Sequence, residues 1–355
     1  MIRRGTATDG LGILRFKNGF QIKISNLFAG LGLAMAAVLL AVYSLQIGLT
    51  KTGISDFLAI FVGAELSDAK VYALIDVRLP RILVGFMVGW AVALSGAVLQ
   101  SLARNPLADP GLFGFSQGSM IMIMLLLIVV PLAPKSLVAL AAVAGGLCVA
   151  GLLLWLVGGG RSSGLAIVLM GIAVETVLSS FGTLLILYLP PETSLALSEW
   201  LAGSLFQANW SLIAAFLPLH GHLVSGILIA GRLLPAYDLG NEMAMALGEP
   251  VARSQPLLLL FAVVLSAAAV TAVGPLMFLG ILAPHIAAFL SPATGRARLV
   301  LSGLTGGILV VAADTLTRGV AVGLPMPLGL SLTIIGVPLF IIALRLQALR
   351  KFQSH

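Results

Sequence analysis

The run Met120-Ile121-Met122-Ile123-Met124-Leu125-Leu126-Leu127-Ile128-Val129-Val130 is unbroken apolar sequence, and its lack of alternation decides the fold class. A strand of a membrane β-barrel alternates apolar and polar residues over about ten positions, so this run excludes a barrel and reads as part of a spanning helix. The rest of the 355-residue chain has the same character: 59 % of it is hydrophobic, about 209 side chains, against 20 basic and 13 acidic residues. Soluble domains are about half apolar and a quarter charged, and 9 % charge is too little to coat a soluble core of this size. A soluble enzyme is excluded. Each span takes about 20 mostly apolar residues, so the chain can furnish on the order of ten. The expectation is an all-α polytopic membrane protein.

Charges, prolines and polar clusters place ten spans at 25–47, 79–103, 111–131, 136–157, 164–189, 209–231, 255–273, 275–291, 298–317 and 328–346. Residues 1–24 form a basic extension, 25–346 a single transmembrane domain and 347–355 a tail. The extension lacks a small-residue cleavage site behind a short apolar core, so the first span reads as retained and not as a signal peptide. With the N-terminus in the cytoplasm, 14 of the 20 basic residues fall on the inner side. Only Lys51, Lys70, Arg78, Arg81, Lys135 and Arg318 remain outside. Basic residues near span ends favour the cytoplasm, so both termini are expected there. The net charge of +7 then reports topology, not nucleic-acid binding. The outer segment from Gly48 to Val77 reads as a loop, and the largest inner loop runs from Arg232 to Ser254.

Three segments stand out against this background. Arg78-Leu79-Pro80-Arg81 sits at the outer mouth of the second span, with two guanidiniums three residues apart on one helix face. They suit an interfacial anchor or the bidentate recognition of carboxylates on an acidic partner. Gln100 to Gly111 carries Pro106 and Pro110 between the second and third spans; it reads as a tight inner turn in preference to a partly re-entrant segment. Tyr237 to Arg253 reads as two short helices divided at Gly248 to Pro250, with Leu239, Met243, Ala246 and Leu247 at helical spacing. That segment suits a helix on the membrane surface or a knob for a cytoplasmic partner.

Glu175 lies near the middle of the fifth span with no basic residue within one turn. An intramembrane carboxylate is costly, so it calls for a wet cavity, a hydrogen-bond partner or protonation. No second buried acid or histidine joins it to form a proton relay. Asp314 and Arg318, four apart near the outer end of the ninth span, can pair. His220, His222, His285 and His355 do not assemble a zinc site, and the lone Cys148 makes neither a disulfide framework nor a thiolate cluster. The phosphate-loop pattern is absent, since the chain contains no Gly-Lys dipeptide, and ATP work is assigned to another chain. No cofactor or metal is expected to be bound by this one.

The stretch from Arg78 to Gly111, R-L-P-R-I-L-V-G-F-M-V-G-W-A-V-A-L-S-G-A-V-L-Q-S-L-A-R-N-P-L-A-D-P-G, resembles the signature of FecCD-type permeases, membrane subunits of ABC importers for iron-siderophores, haem and cobalamin. L-G-E-P-V-A-R (Leu247 to Arg253), G-P-L-M-F-L-G-I-L-A-P-H (Gly274 to His285), A-D-T-L-T-R (Ala313 to Arg318) and L-P-M-P-L-G-L-S-L-T-I-I-G-V-P-L-F (Leu324 to Phe340) follow in the same order. The resemblance covers nearly all of the chain beyond the first span and leaves out the basic extension.

The resemblance implies a type II ABC importer permease fold of ten helices in the bacterial cytoplasmic membrane. It implies a second permease copy or homologue, a cytoplasmic ABC ATPase dimer that uses the ATP, and an extracytoplasmic substrate-binding protein. It carries a docking role for that binding protein onto Arg78, Arg81 and Arg318. It carries ATPase coupling onto Ala246, Leu247, Gly248, Glu249 and Pro250, and a pathway and inner gate onto the fifth span with Ser162 and Ser163. Glu175 departs from the apolar or amide residues expected in such a pathway. Two rival classes are weighed beside this reading. An ion-coupled secondary transporter would need paired polar groups in broken helices of both repeats, and Glu175 stands alone. An intramembrane enzyme would need a constellation of base, nucleophile or ligands, and none assembles.

Overall fold

The computed structural model describes residues 3–6, 12–15, 21–157, 164–187, 201–320 and 326–353. Among these, eight helices are long and apolar enough to cross a membrane, and two shorter apolar ones join them. In chain order these ten match the ten expected spans. They are α1 (Ile24–Ser44), the rod ending in α4 (Leu79–Ala103), α5 (Phe115–Val129), α6 (Lys135–Val157), α7 (Gly164–Leu187), α8 (Trp210–Ala230), α11 (Val251–Val273), α12 (Leu279–Leu290), α13 (Gly295–Val320) and α14 (Leu328–Gln353).

Several boundaries differ from the expected ones. The expected outer loop contains α2 (Ile54–Val62), and its last part is already helical: α3 (Asp68–Val71) runs through a π-helical turn (Tyr72–Arg78) into α4. Pro80 explains that turn. Its ring removes an N–H and crowds the carbonyl one turn back, and the chain widens so that the Leu79 N–H reaches Leu74 O, five residues behind. The rod Asp68–Ala103 has 36 residues and at 1.5 Å per residue spans about 54 Å, so it projects beyond a hydrocarbon layer of about 30 Å. The α5 and α12 helices are shorter than expected, at 15 and 12 residues, because Gly114 and Phe278 take left-handed backbone at their starts. The α11 helix begins at Val251, four residues early, and α14 continues through the expected tail to Gln353.

The extension is not featureless. It forms a three-stranded antiparallel sheet, β1 (Arg3–Thr6), β2 (Gly12–Arg15) and β3 (Gln21–Lys23), for which the sequence reading had no expectation.

The core forms around α4, with α11, α12 and α13 packed on it; α1, α7, α8 and α14 lie at the rim, mostly exposed. Glycine sets how closely the central helices approach. A Cβ at Gly89 would lie 2.3 Å from Gly306 O, and one at Gly96 would lie 2.3 Å from Gly280 O. Such backbone contact is the small-residue packing that membrane helices use in place of a hydrophobic driving force.

The 104–114 segment is a turn that is exposed at Arg104, Pro106 and Leu107 and mostly buried from Ala108. Ala108 and Pro110 are buried and Asp109 is 1 % exposed, so the expected turn is buried in its second half. Irregular backbone must be enclosed by protein to satisfy its polar groups. Asp109 Oδ1 accepts from the Gly111 N–H at 2.7 Å, while the buried Oδ2 has no hydrogen-bond partner among the described residues and lies beside the first turn of α12, where a Cβ on Gly280 would meet it at 2.6 Å. An anion suits that position because the first N–H groups of a helix lack intrahelical acceptors. Asp109→Ala is expected to cost about 1–3 kcal/mol, the penalty for leaving buried donors unmet. Asp109→Asn, which retains an acceptor for the Gly111 N–H, should lose less; equal thermal midpoints for wild type and Asp109→Ala would refute this role.

Candidate functional site

At one end of the bundle the α1 helix stops at Ser44 and leaves its last carbonyls without intrahelical donors. Two arginines supply donors at this end. Arg78, turned inward by the π-helical turn and 3 % exposed, donates to Leu45 O, Thr50 O and Thr52 Oγ1. Arg318 Nη1 donates to Ser44 O at 3.1 Å and Ile47 O at 2.9 Å, and its Nη2 donates to Ser44 Oγ.

Asp314 ties the cluster together: its Oδ1 accepts from Arg81 Nη2 at 2.6 Å and its Oδ2 from Arg318 Nε at 2.9 Å. The expected Asp314–Arg318 pair is therefore present, with Arg81 as an additional member. Arg81 and Arg318 side chains keep 14 % and 10 % exposure. Arg78, with its guanidinium engaged by Leu45, Thr50 and Thr52, presents no free fork at the surface. The cluster holds three guanidiniums against one carboxylate, a surplus of two positive charges within one partly buried group.

The opposite end carries the loop from Arg232. Its two short helices are α9 (Leu234–Asp238) and α10 (Asn241–Ala246), divided at Gly240 with φ of +103° and not at Gly248–Pro250 as expected. Gly248, at φ of +86°, instead closes α10. Its N–H bonds to Met245 O and the Glu249 N–H bonds to Ala244 O, each at 2.9 Å, which is the Schellman ending that glycine permits. Pro250 then directs the chain into α11. Leu239, Met243, Met245 and Leu247 stay exposed, Leu247 at 64 %, while Ala244 and Tyr237 are buried beneath them. The result is an apolar knob on a rigid base.

That base is bonded to the core. Tyr237 Oη and Ser254 Oγ lie 2.7 Å apart, and burial raises the Tyr237 phenol above its usual range. Arg298, on the first turn of α13, donates to Gln100 Oε1 at 2.8 Å, Ser101 Oγ at 3.1 Å and Asp238 Oδ1 at 3.5 Å. Arg104, the left-handed C-cap of α4, lays its guanidinium over Gly240, where a Cβ would meet Nη1 at 3.0 Å. Gln100, Arg104, Asn105, Pro106, Asp238 and Arg298 line an open pocket between the loop and the ends of α4 and α13. The sequence reading missed Arg298, Asp238 and Asp109; the signal for the last was an acid between two prolines next to a helix start.

A third element is the bare face of α7. Thr176, Ser180 and Thr183 are exposed, each bonding back to the carbonyl four residues earlier at 2.8, 2.8 and 3.0 Å. Glu175, half-buried, stands beside this hydroxyl stripe, and its backbone packs on Gly114. Glu175 has no ion-pair partner among the described residues. Ser162 and Ser163 lie outside the described residues. No group of three or more potential metal-ligating side chains occurs among the described residues.

Comparison with known proteins bears on this arrangement. The FhuG permease protein of an iron(3+)-hydroxamate import system in Bacillus subtilis (strain 168) is 32 % identical over 308 residues, 84 % of this chain and 90 % of that protein. The FepG permease protein of the ferric enterobactin transport system in Escherichia coli (strain K12) is 32 % identical over 320 residues, covering 90 % and 96 %. A solved structure described as an inward-facing conformation of a metal-chelate type ABC transporter superposes with a TM-score of 0.77 at 26 % identity, covering 89 % of this chain and 98 % of that one. The model of the FecCD transport family matches residues 33–346. This chain is a multi-pass membrane protein that belongs to the FecCD transport family.

Proposed function

We propose that the chain is the permease subunit of an ATP-binding-cassette importer for a bulky metal chelate, an iron-siderophore before haem or cobalamin. Residues 25–346 act as one permease domain in the bacterial cytoplasmic membrane, with both termini cytoplasmic, and two permease copies or homologues pair to form the pathway. The observation that carries the reading is the apolar knob Leu239, Met243, Met245 and Leu247, mounted on capped helices bonded to α4, α11 and α13. Family membership favours a cytoplasmic ATPase dimer as its partner over the membrane surface.

ATP binding and hydrolysis take place on that partner. This chain converts movement of the seated knob, with Ala246, Leu247, Gly248, Glu249 and Pro250 at its tip, into tilting of the helices. The linkage runs through Asp238 to Arg298, through Gly240 to Arg104 and through Tyr237 to Ser254. At the other end an extracytoplasmic binding protein docks acidic residues against the surplus charge of the arginine cluster, touching Arg81 and Arg318, with Arg78 contributing its field from below. The hydroxyl stripe of α7 and Glu175 supply a weakly polar pathway wall. Such a wall suits cargo that must be released, since a pathway that binds tightly cannot let go.

The test is reconstitution of the chain with its ATPase and binding protein in vesicles, measuring ATP-driven uptake of a labelled ferric siderophore. Leu247→Asp puts a charge at the centre of the apolar seat and is expected to cut uptake at least about tenfold, the effect of losing an interface anchor. Uptake that persists without ATP and stops when the proton gradient collapses would instead make the protein an ion-coupled transporter using Glu175.

A further inference from the structure

The N-terminal sheet lies outside the family match, which begins at residue 33, and nothing in the permease function uses it. We propose that this sheet is a membrane-surface module that lays basic side chains against anionic lipid headgroups beside the first spanning helix. Residues 1–23 hold Arg3, Arg4, Arg15, Lys17 and Lys23 against Asp9 alone.

The register pairs Arg3 with Arg15 and Arg4 with Leu14, so Arg4 and Arg15, both exposed, stand on opposite faces. The sheet therefore offers positive charge whichever way it lies.

Position selects the partner. The β3 strand ends at Lys23 and α1 begins at Ile24 with no linker, and Gly12 rests on the Ile24 side chain, where a Cβ would meet Cδ1 at 2.9 Å. Strands about 4.8 Å apart keep all three within about 10 Å of the helix start, close to one Debye length at physiological salt. The α1 helix is on the rim, packed on α13, with Phe28, Leu31, Met35, Val38 and Leu39 exposed along its flank. Lipid meets that flank directly, and so it surrounds the foot of the helix where the sheet sits. The knob belongs to a different neighbourhood, packed on α4 and α11. The inference needs only that the chain is embedded in a bilayer, so it survives if the importer reading fails.

Hydrogen exchange on the full chain in nanodiscs tests it. Amides of residues 12–15 and 21–23 should exchange about tenfold more slowly in phosphatidylglycerol discs than in phosphatidylcholine discs, as expected when basic residues each gain from an anionic surface. About 0.5 M salt should erase the difference, since it contracts the screening length to a few ångströms. Arg4→Glu with Arg15→Glu should abolish the difference, and Arg4→Lys with Arg15→Lys should keep it. Where the glutamate variant loses the sheet itself, the lipid and salt comparison on the wild type still decides. Equal exchange in the two lipids overturns the proposal. So does equal protection by inorganic phosphate in phosphatidylcholine discs, which marks an ion site, and so does protection that appears only with the ATPase bound.

Discussion

Asp314→Ala is expected to destabilise the chain by about 3–5 kcal/mol, the cost of removing one partner from a buried charge group. Asp314 is 2 % exposed and is the carboxylate shared by Arg81 and Arg318. Without it two adjacent guanidiniums face each other in a partly buried site. Among the described residues only Arg318 keeps acceptors, Ser44 O at the end of α1 and Ile47 O just beyond it, and these must hold it against repulsion from Arg81. The thermal midpoint of the purified chain in detergent reports the loss. Apolar replacement of the whole group, with Asp314→Leu, Arg81→Met and Arg318→Met together, should recover most of it, because a buried ionic group exchanged for well-packed apolar residues is often neutral or stabilising. A fall of less than about 1 kcal/mol in Asp314→Ala, the range of solvated ion pairs, would refute the buried network. On the proposed docking role, the same triple variant should weaken binding of an extracytoplasmic binding protein while leaving the fold intact.

Gly89→Leu should prevent α4 and α13 from docking. The Cβ alone would lie 2.3 Å from Gly306 O and 2.8 Å from Gly307 Cα, and backbone atoms cannot swing away as a side chain end can. Gly89→Ala is expected to cost about 1–3 kcal/mol as overpacking, and leucine more, with loss of a monodisperse species in size-exclusion chromatography. Gly32 and Gly151, each with nothing within 4 Å of a Cβ, are the controls: leucine there should leave the profile unchanged. A monodisperse Gly89→Leu chain would show that the two helices do not pack as closely as described.

The spacing behind that contact was visible in the sequence, since Gly85, Gly89 and Ala93 recur every four residues, as do Gly303 and Gly307. Nothing local says which glycine stripe meets which. Similar reasoning separates the other successes from the failures. Hydropathy located all ten apolar helices, but it read Gly48 to Val77 as a loop because Asp56, Glu65, Asp68 and Asp76 dominate it. Those acids cost nothing in a helix that has already left the hydrocarbon. Gly240 and Gly248 both take left-handed backbone, and only geometry shows that the first divides the short helices and the second closes the knob. Arg78 and Arg81 look equivalent on paper, yet the π-helical turn sends the first inward and leaves the second beside Asp314.

Sequence alone determined the membrane embedding, the number of apolar helices and the segments resembling a transport family, because each depends on chemistry summed over neighbouring residues. Tertiary structure decided which charges are spent inside the protein and which remain to meet a partner. Arg81 and Asp314 are 233 positions apart and Arg298 and Asp238 are 60 apart; no local pattern encodes such pairings, and where burial strips water from a charge, as at Asp314, pairing is what makes it tolerable.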